Sequence, residues 1–161
     1  MDDNDTRHLR RAVDLAEEGL LAGDEPFGSV LVAADGTVLF EDHNHVGGGD
    51  GTRHPEFEIA RWAGANLAPD QRPTATVYTS SEHCPMCSAA HGWVGLGRIV
   101  YASSSAQLLG WLADWGLPAP PVNPLPIQDL VPGIRVEGPH PELALRVREL
   151  QRRLRAPSEP S

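Results

Sequence analysis

The sequence predicts a layered α/β domain, and three observations carry that expectation. Apolar residues recur at helical spacing from Leu9 to Leu20, strand-like runs alternate with helical segments along the chain, and no linker divides the chain in two. At 161 residues the chain has the size of one ordinary domain with a real core, so residues 1–161 read as one unit.

The elements follow in order. Leu9, Val13, Ala16 and Leu20 mark an amphipathic helix over about residues 5–22, ending near Gly23. Val30-Leu31-Val32 and Val38-Leu39-Phe40 flank Ala34-Asp35-Gly36-Thr37, a strand–turn–strand pattern. Residues 42–53 are rich in His, Asn and Gly and read as a loop of the kind that carries function. Pro55 suits the first position of a second helix, which runs to about Leu67. Thr76-Val77-Tyr78 is a short buried strand, followed by a helix over about 85–94 and the strand Arg98-Ile99-Val100-Tyr101. A helix at about 105–115 comes next, then a proline-rich stretch from Leu117 to Pro126 that excludes regular structure. A last helix covers about 141–154, and residues 156–161 read as a frayed tail.

Composition narrows the function. Hydrophobic residues make up 40% and charged residues 22%, a globular rather than disordered balance. No apolar run approaches the ~20 residues needed to cross a bilayer. The acidic start, Met1-Asp2-Asp3-Asn4-Asp5, lacks a secretory pattern, and both cysteines fall in one CxxC, so a reducing cytoplasm is the expected location. Net charge is −9; residues 1–134 carry 18 acids and 7 arginines, residues 135–161 carry 4 and 6. Arg146, Arg148, Arg152, Arg153 and Arg155 form the one basic cluster, which reads as a solvated helix face. A nucleic acid or other large anionic polymer is therefore not the expected partner.

Chemistry concentrates in His54-Pro55-Glu56 and Cys84-Pro85-Met86-Cys87. His54, Cys84 and Cys87 are three ligands for a tetrahedral metal such as zinc, leaving a fourth position for catalysis. Cys84 and Cys87 are three apart at a helix start, so both thiols face one point, and a helix N-terminus favours thiolate. Glu56 is a spare carboxylate beside the open position. Two other readings stand. A redox CxxC accounts for the cysteines but not for His-x-Glu. A closed structural zinc would take His91, four residues after Cys87, as fourth ligand. His83, adjacent to Cys84, is poorly placed to ligate with it and reads as a supporting or loop residue.

These residues resemble the cytidine-deaminase-like superfamily, whose signature joins H-x-E to P-C-x-x-C. Pro26-Phe27-Gly28-Ser29-Val30 is similar to the first strand of its nucleobase and tRNA deaminase branch, and Val77-Tyr78-Thr79-Ser80-Ser81-Glu82 to the strand leading to the cysteines. The segment from Cys87 through Trp93 to Tyr101-Ala102 is similar to bacterial guanine deaminases. The likeness covers about residues 8–115, with one departure: His83 stands where the signature has proline.

The resemblance implies a three-layer α/β/α domain with a central mixed sheet of about five strands. It also implies one Zn2+ per chain with a bound water or hydroxide, held by His54, Cys84 and Cys87, and Glu56 as the proton shuttle. The implied reaction is hydrolytic deamination of a small nucleobase-like ring, guanine or amino-s-triazine before cytosine, with a tRNA adenosine deaminase as the alternative. Asn44 lies in a loop that in such enzymes contributes an asparagine to the substrate. Phe27 and Trp93 are candidates for flat contacts to the ring or for core packing. Asp114 falls near where guanine deaminases place an acid on the base, and His83 lines the pocket, bonds a thiolate or faces solvent. Related enzymes are commonly homodimers, with the third and fourth helices as candidate contacts.

Overall fold

A computed structural model describes residues 1–155, so the expected frayed tail lies outside the described residues. Helix α1 (Asp3–Ala22) begins on a capping box between Asp2 and Asp5 and stops at Gly23, which takes the left-handed conformation. Five strands follow in the order β1 (Gly28–Val32), β2 (Val38–His43), β3 (Thr76–Ser81), β4 (Ile99–Ser103) and β5 (Val136–Glu137). Between and after them run α2 (Pro55–Asn66), α3 (Pro85–Val94), α4 (Ser105–Asp114), the short α5 (Ile127–Leu130) and α6 (Pro141–Arg155).

The sheet order is β2-β1-β3-β4-β5. Strand β1 runs antiparallel to both neighbours, while β3, β4 and β5 run parallel, so the sheet is mixed. Alternating side chains serve two layers. Val30, Val32, Tyr78, Val100 and Ala102 pack under α1 and α6, whereas Leu31, Val77 and Ile99 pack with Ile59 and Ala63 of α2, Leu96 and Ile127. Burial on both faces gives the expected three layers. Gly28 lets α1 lie this close: a Cβ there would collide with the Ala12 carbonyl and the Ala16 amide.

The strands differ from the sequence expectation at their ends. β3 and β4 extend to Ser81 and Ser103, which pair in register and whose hydroxyls are 2.9 Å apart. Buried serines give no apolar signal, so periodicity stops short of them. β5 is two residues long, too short to show a period, and sits between Gly133 and Gly138. No helix or strand forms over 117–126, as the prolines require.

A buried carboxylate ties the layers together. Asp5, 5% exposed, accepts from the Tyr78 hydroxyl at 2.8 Å and from both Arg98 terminal nitrogens at 2.8 and 2.7 Å. Arg98 also binds Glu137. The network joins α1, β3, the start of β4 and β5. The Arg98 guanidinium holds Asp5 well below the usual carboxylate range and is the main cause that brings Glu137 down to about 2. The basic cluster of α6 is engaged internally as well: Arg146 bridges Asp14 and Glu17, and Arg153 also reaches Glu17.

Arg98→Met would strand a buried charge, and urea denaturation is expected to show a loss of ~3–5 kcal/mol. Both carboxylates have depressed folded-state pKa values, so their stabilisation is present above their ordinary pKa values. In the wild type it is lost as pH falls below about 4.5 toward about 2, and that acid slope should flatten in the variant.

Candidate metal centre

Two helices start in the same way at one place. His54 precedes Pro55 and Cys84 precedes Pro85; both are extended N-cap residues, and neither uses its side chain to cap its helix. A residue before proline is driven out of the helical region, while proline itself suits the first helical position. The local sequence therefore ends each loop with a ligand side chain free to turn inward. Packing α2 against α3 brings the two starts together beyond the carboxyl end of β3.

There His54 Nδ1 lies 3.6 Å from the Sγ of Cys84 and 3.6 Å from that of Cys87, and the two sulfurs are 3.5 Å apart. Both cysteines are free thiols. Zinc bonds of about 2.3 Å to sulfur and 2.0 Å to nitrogen in a tetrahedron imply separations of roughly 3.8 Å for S–S and 3.6 Å for S–N. The donor set and its spacing fit zinc. Cys84 is pulled down to about 4, chiefly by its contact with Cys87 and also by His54, whereas Cys87 is pushed up by Cys84, by burial and by Glu56. Hydrogen bonding to Cys84 in turn raises His54.

Glu56 sits in the first turn of α2, 5% exposed. Its Oε1 lies 2.9 Å from Ser29 Oγ and 2.7 Å from Thr79 Oγ1, hydroxyls that face each other across β1 and β3. Burial raises its pKa above the ordinary value; the His54 charge and the Thr79 hydroxyl oppose that rise. Sequence reading missed Ser29 and Thr79 as supports of Glu56. Ser29 beside the apolar run Val30-Leu31-Val32 was the one visible signal; Thr79 lies among Thr76, Ser80 and Ser81 and does not stand out.

Asn44 is fully buried. Its Oδ1 accepts from the Val46 amide at 2.9 Å, and its Nδ2 has no partner among the described residues. The free group on Asn44 is thus a donor. Phe27, half-buried, is joined to it by a 2.9 Å bond from the Asn44 amide to the Phe27 carbonyl.

Other expectations need correction. His91 is not a fourth ligand: its Nε2 donates to the Gly97 carbonyl at 2.8 Å, and the ligand cluster comprises His54, Cys84 and Cys87 alone. His83 does not face solvent. It is 1% exposed, lies edge-on to His91 at 5.3 Å, and neither ring nitrogen has a partner among the described residues, so it bonds no thiolate. Trp93 neither packs in the core nor lines a pocket within the chain, being 91% exposed. It lies two residues beyond buried His91, about 200° around the helix and so on the opposite face. Asp114, which the resemblance put near the base, is the last residue of α4 and is exposed.

Comparison with known proteins falls on the same segment. The family described as the cytidine and deoxycytidylate deaminase zinc-binding region matches residues 2–103. A guanine deaminase of Bacillus subtilis is 40% identical over 102 residues, covering 62% of this chain and 65% of that protein. A probable cytosine deaminase of Schizosaccharomyces pombe is 29% identical over 109 residues, covering 68% of this chain and 66% of its own length. The chain thus spans just under two thirds of these relatives. Among solved structures, a guanine deaminase from Nitrosomonas europaea superposes with a TM-score of 0.70 at 20% identity, covering 92% of this chain and 83% of that one, a likeness of fold.

Metal analysis separates the two histidines. His54→Ala should lose zinc while His91→Ala retains it; the reverse result would remove His54 from the ligand set.

Proposed function

The chain belongs to the family of the cytidine and deoxycytidylate deaminase zinc-binding region, and from that premise we propose a hydrolytic deaminase of a small nucleobase-like ring. The observation that carries the reading is the pairing of a three-ligand cluster with a buried carboxylate held from one side. A fourth protein ligand would close such a site, and His91 is spent elsewhere.

His54, Cys84 and Cys87 would hold Zn2+, which when bound supplies Lewis acidity and brings the pKa of water toward ~7. Glu56 does the proton work. Ser29 and Thr79 fix Oε1, leaving Oε2 to accept a proton from the attacking water. Burial raises its pKa, which suits a group that must take a proton and release it again. Glu56 passes that proton to the ring nitrogen beside the amino-bearing carbon as the water oxygen bonds to that carbon. A second proton reaches the amine through the same carboxyl, the C–N bond breaks, and ammonia leaves behind a carbonyl. The balance is amine plus water to carbonyl plus ammonia, with no redox change.

Asn44 Nδ2 donates to an acceptor on the ring, and Phe27 lies beside it as an apolar neighbour. Guanine or an amino-s-triazine ranks ahead of cytosine, supported by the 40% identity to a guanine deaminase. The acidic balance of the chain and the pairing of Arg146 and Arg153 with α1 weigh against tRNA as substrate. Exposed Trp93 on α3 supports a homodimer through that helix.

Glu56→Gln should keep zinc and the fold and lose roughly 10²–10⁴ in turnover; wild-type-like turnover would refute the shuttle. Ammonia release across guanine, cytosine, adenine, amino-triazines, cytidine and tRNA tests the substrate class. Release from a free base is expected, and activity confined to tRNA would replace this reading with a tRNA adenosine deaminase.

A further inference from the structure

A second cluster of metal-binding side chains lies outside the catalytic constellation. Asp24, just past the end of α1, meets His43 at the end of β2 and His45 in the loop that follows. One ligand atom from each lies within 4.8 Å of the other two, and all three residues are partly buried.

The hydrogen bonds around these residues orient them as ligands. His43 Nδ1 is 2.8 Å from the Asn44 carbonyl, an acceptor only, so Nδ1 carries the proton and Nε2 keeps its lone pair. His45 Nε2 is 2.7 Å from the Asp42 carboxylate, which leaves Nδ1 as the free nitrogen of the neutral ring. Donation of the other ring N–H to a carbonyl or carboxylate is the usual support of a metal-bound imidazole, because it sets the tautomer and raises the basicity of the ligating nitrogen. Asp24 is steadied too: its Oδ1 accepts from the Gly47 amide at 2.7 Å. A Cβ at Gly47 would come within 2.8 Å of that oxygen, so a bare glycine admits the loop this close. The rings of His43 and His45 lie side by side, 4.5 Å apart and tilted by 40°.

We propose that His43 Nε2, His45 Nδ1 and a carboxylate oxygen of Asp24 form a second site for a borderline divalent transition metal of the Zn2+ type. Two imidazoles and one carboxylate suit that class, and the absence of thiolate makes the site chemically distinct from the first. Its placement gives it a consequence. His43 and His45 flank Asn44 in the chain, and His43 is bonded to the Asn44 carbonyl. A metal held there would staple the end of α1 to the loop that carries the buried Asn44 amide. The inference does not depend on which ring is the substrate.

Cobalt distinguishes the two sites, because only the cysteine site gives an intense thiolate-to-cobalt charge-transfer band. Equilibrium dialysis of the full chain against Zn2+ or Co2+ is expected to give two equivalents per chain, the second weaker and without that band. The double variant His43→Ala/His45→Ala should bind one equivalent with the band intact, which also verifies folding and the first site. Asp42→Asn removes the carboxylate behind His45 while keeping an oxygen for the His43 amide that also bonds Asp42, and should weaken the second equivalent by roughly 10–100-fold. One equivalent in the wild type, or a second equivalent unchanged in both variants, overturns the proposal.

Discussion

Two helix N-termini must meet at the carboxyl end of one strand, and the candidate site depends on that meeting. Each terminus is prepared locally by a ligand followed by proline: the ligand is forced extended and its helix begins at once. Convergence places the positive ends of α2 and α3 around the sulfurs and Glu56, where they favour negative charge. Neither helix would bring its ligand to that point alone. The two-sided sheet does so, with β1 and β3 buried and the helices laid over one face.

The same sheet solves a harder problem, the burial of Glu56. A carboxylate out of water is costly unless it is bonded. Ser29 and Thr79, register partners on β1 and β3, supply hydroxyls to one oxygen and leave the other unclaimed by them. On the other face Asp5 is treated in the opposite way, with Tyr78 and Arg98 satisfying both oxygens. Asp5 has partners on both oxygens and Glu56 on one, and the difference lies in what each strand and helix presents to it.

The loop after β2 shows how much rests on short polar contacts. Asn44 spends its acceptor on Val46 and its backbone amide on Phe27, so the orientation of its free donor is set before any ligand arrives. His43 and His45 are locked on either side by the Asn44 carbonyl and Asp42. In a loop rich in Gly and His, hydrogen bonds set these side chains where apolar packing is sparse.

Much of this was legible in the chain. Helical spacing marked α1, Pro55 marked the start of α2, and short apolar runs marked strands β1 to β4, because these signals are local. The clustering of His54, Cys84 and Cys87 was readable from their types and spacing, which are those a zinc site uses. What required the tertiary structure was every relation between distant residues: Ser29 and Thr79 behind Glu56, His91 turned to Gly97, Trp93 left on the surface, and two histidines gathered with Asp24. Sequence by itself determined which groups are available and which elements carry them, since both follow from local geometry. Only the packing of sheet and helices decided which groups face one another, because facing partners are separated by tens of residues and their contact leaves no periodic trace.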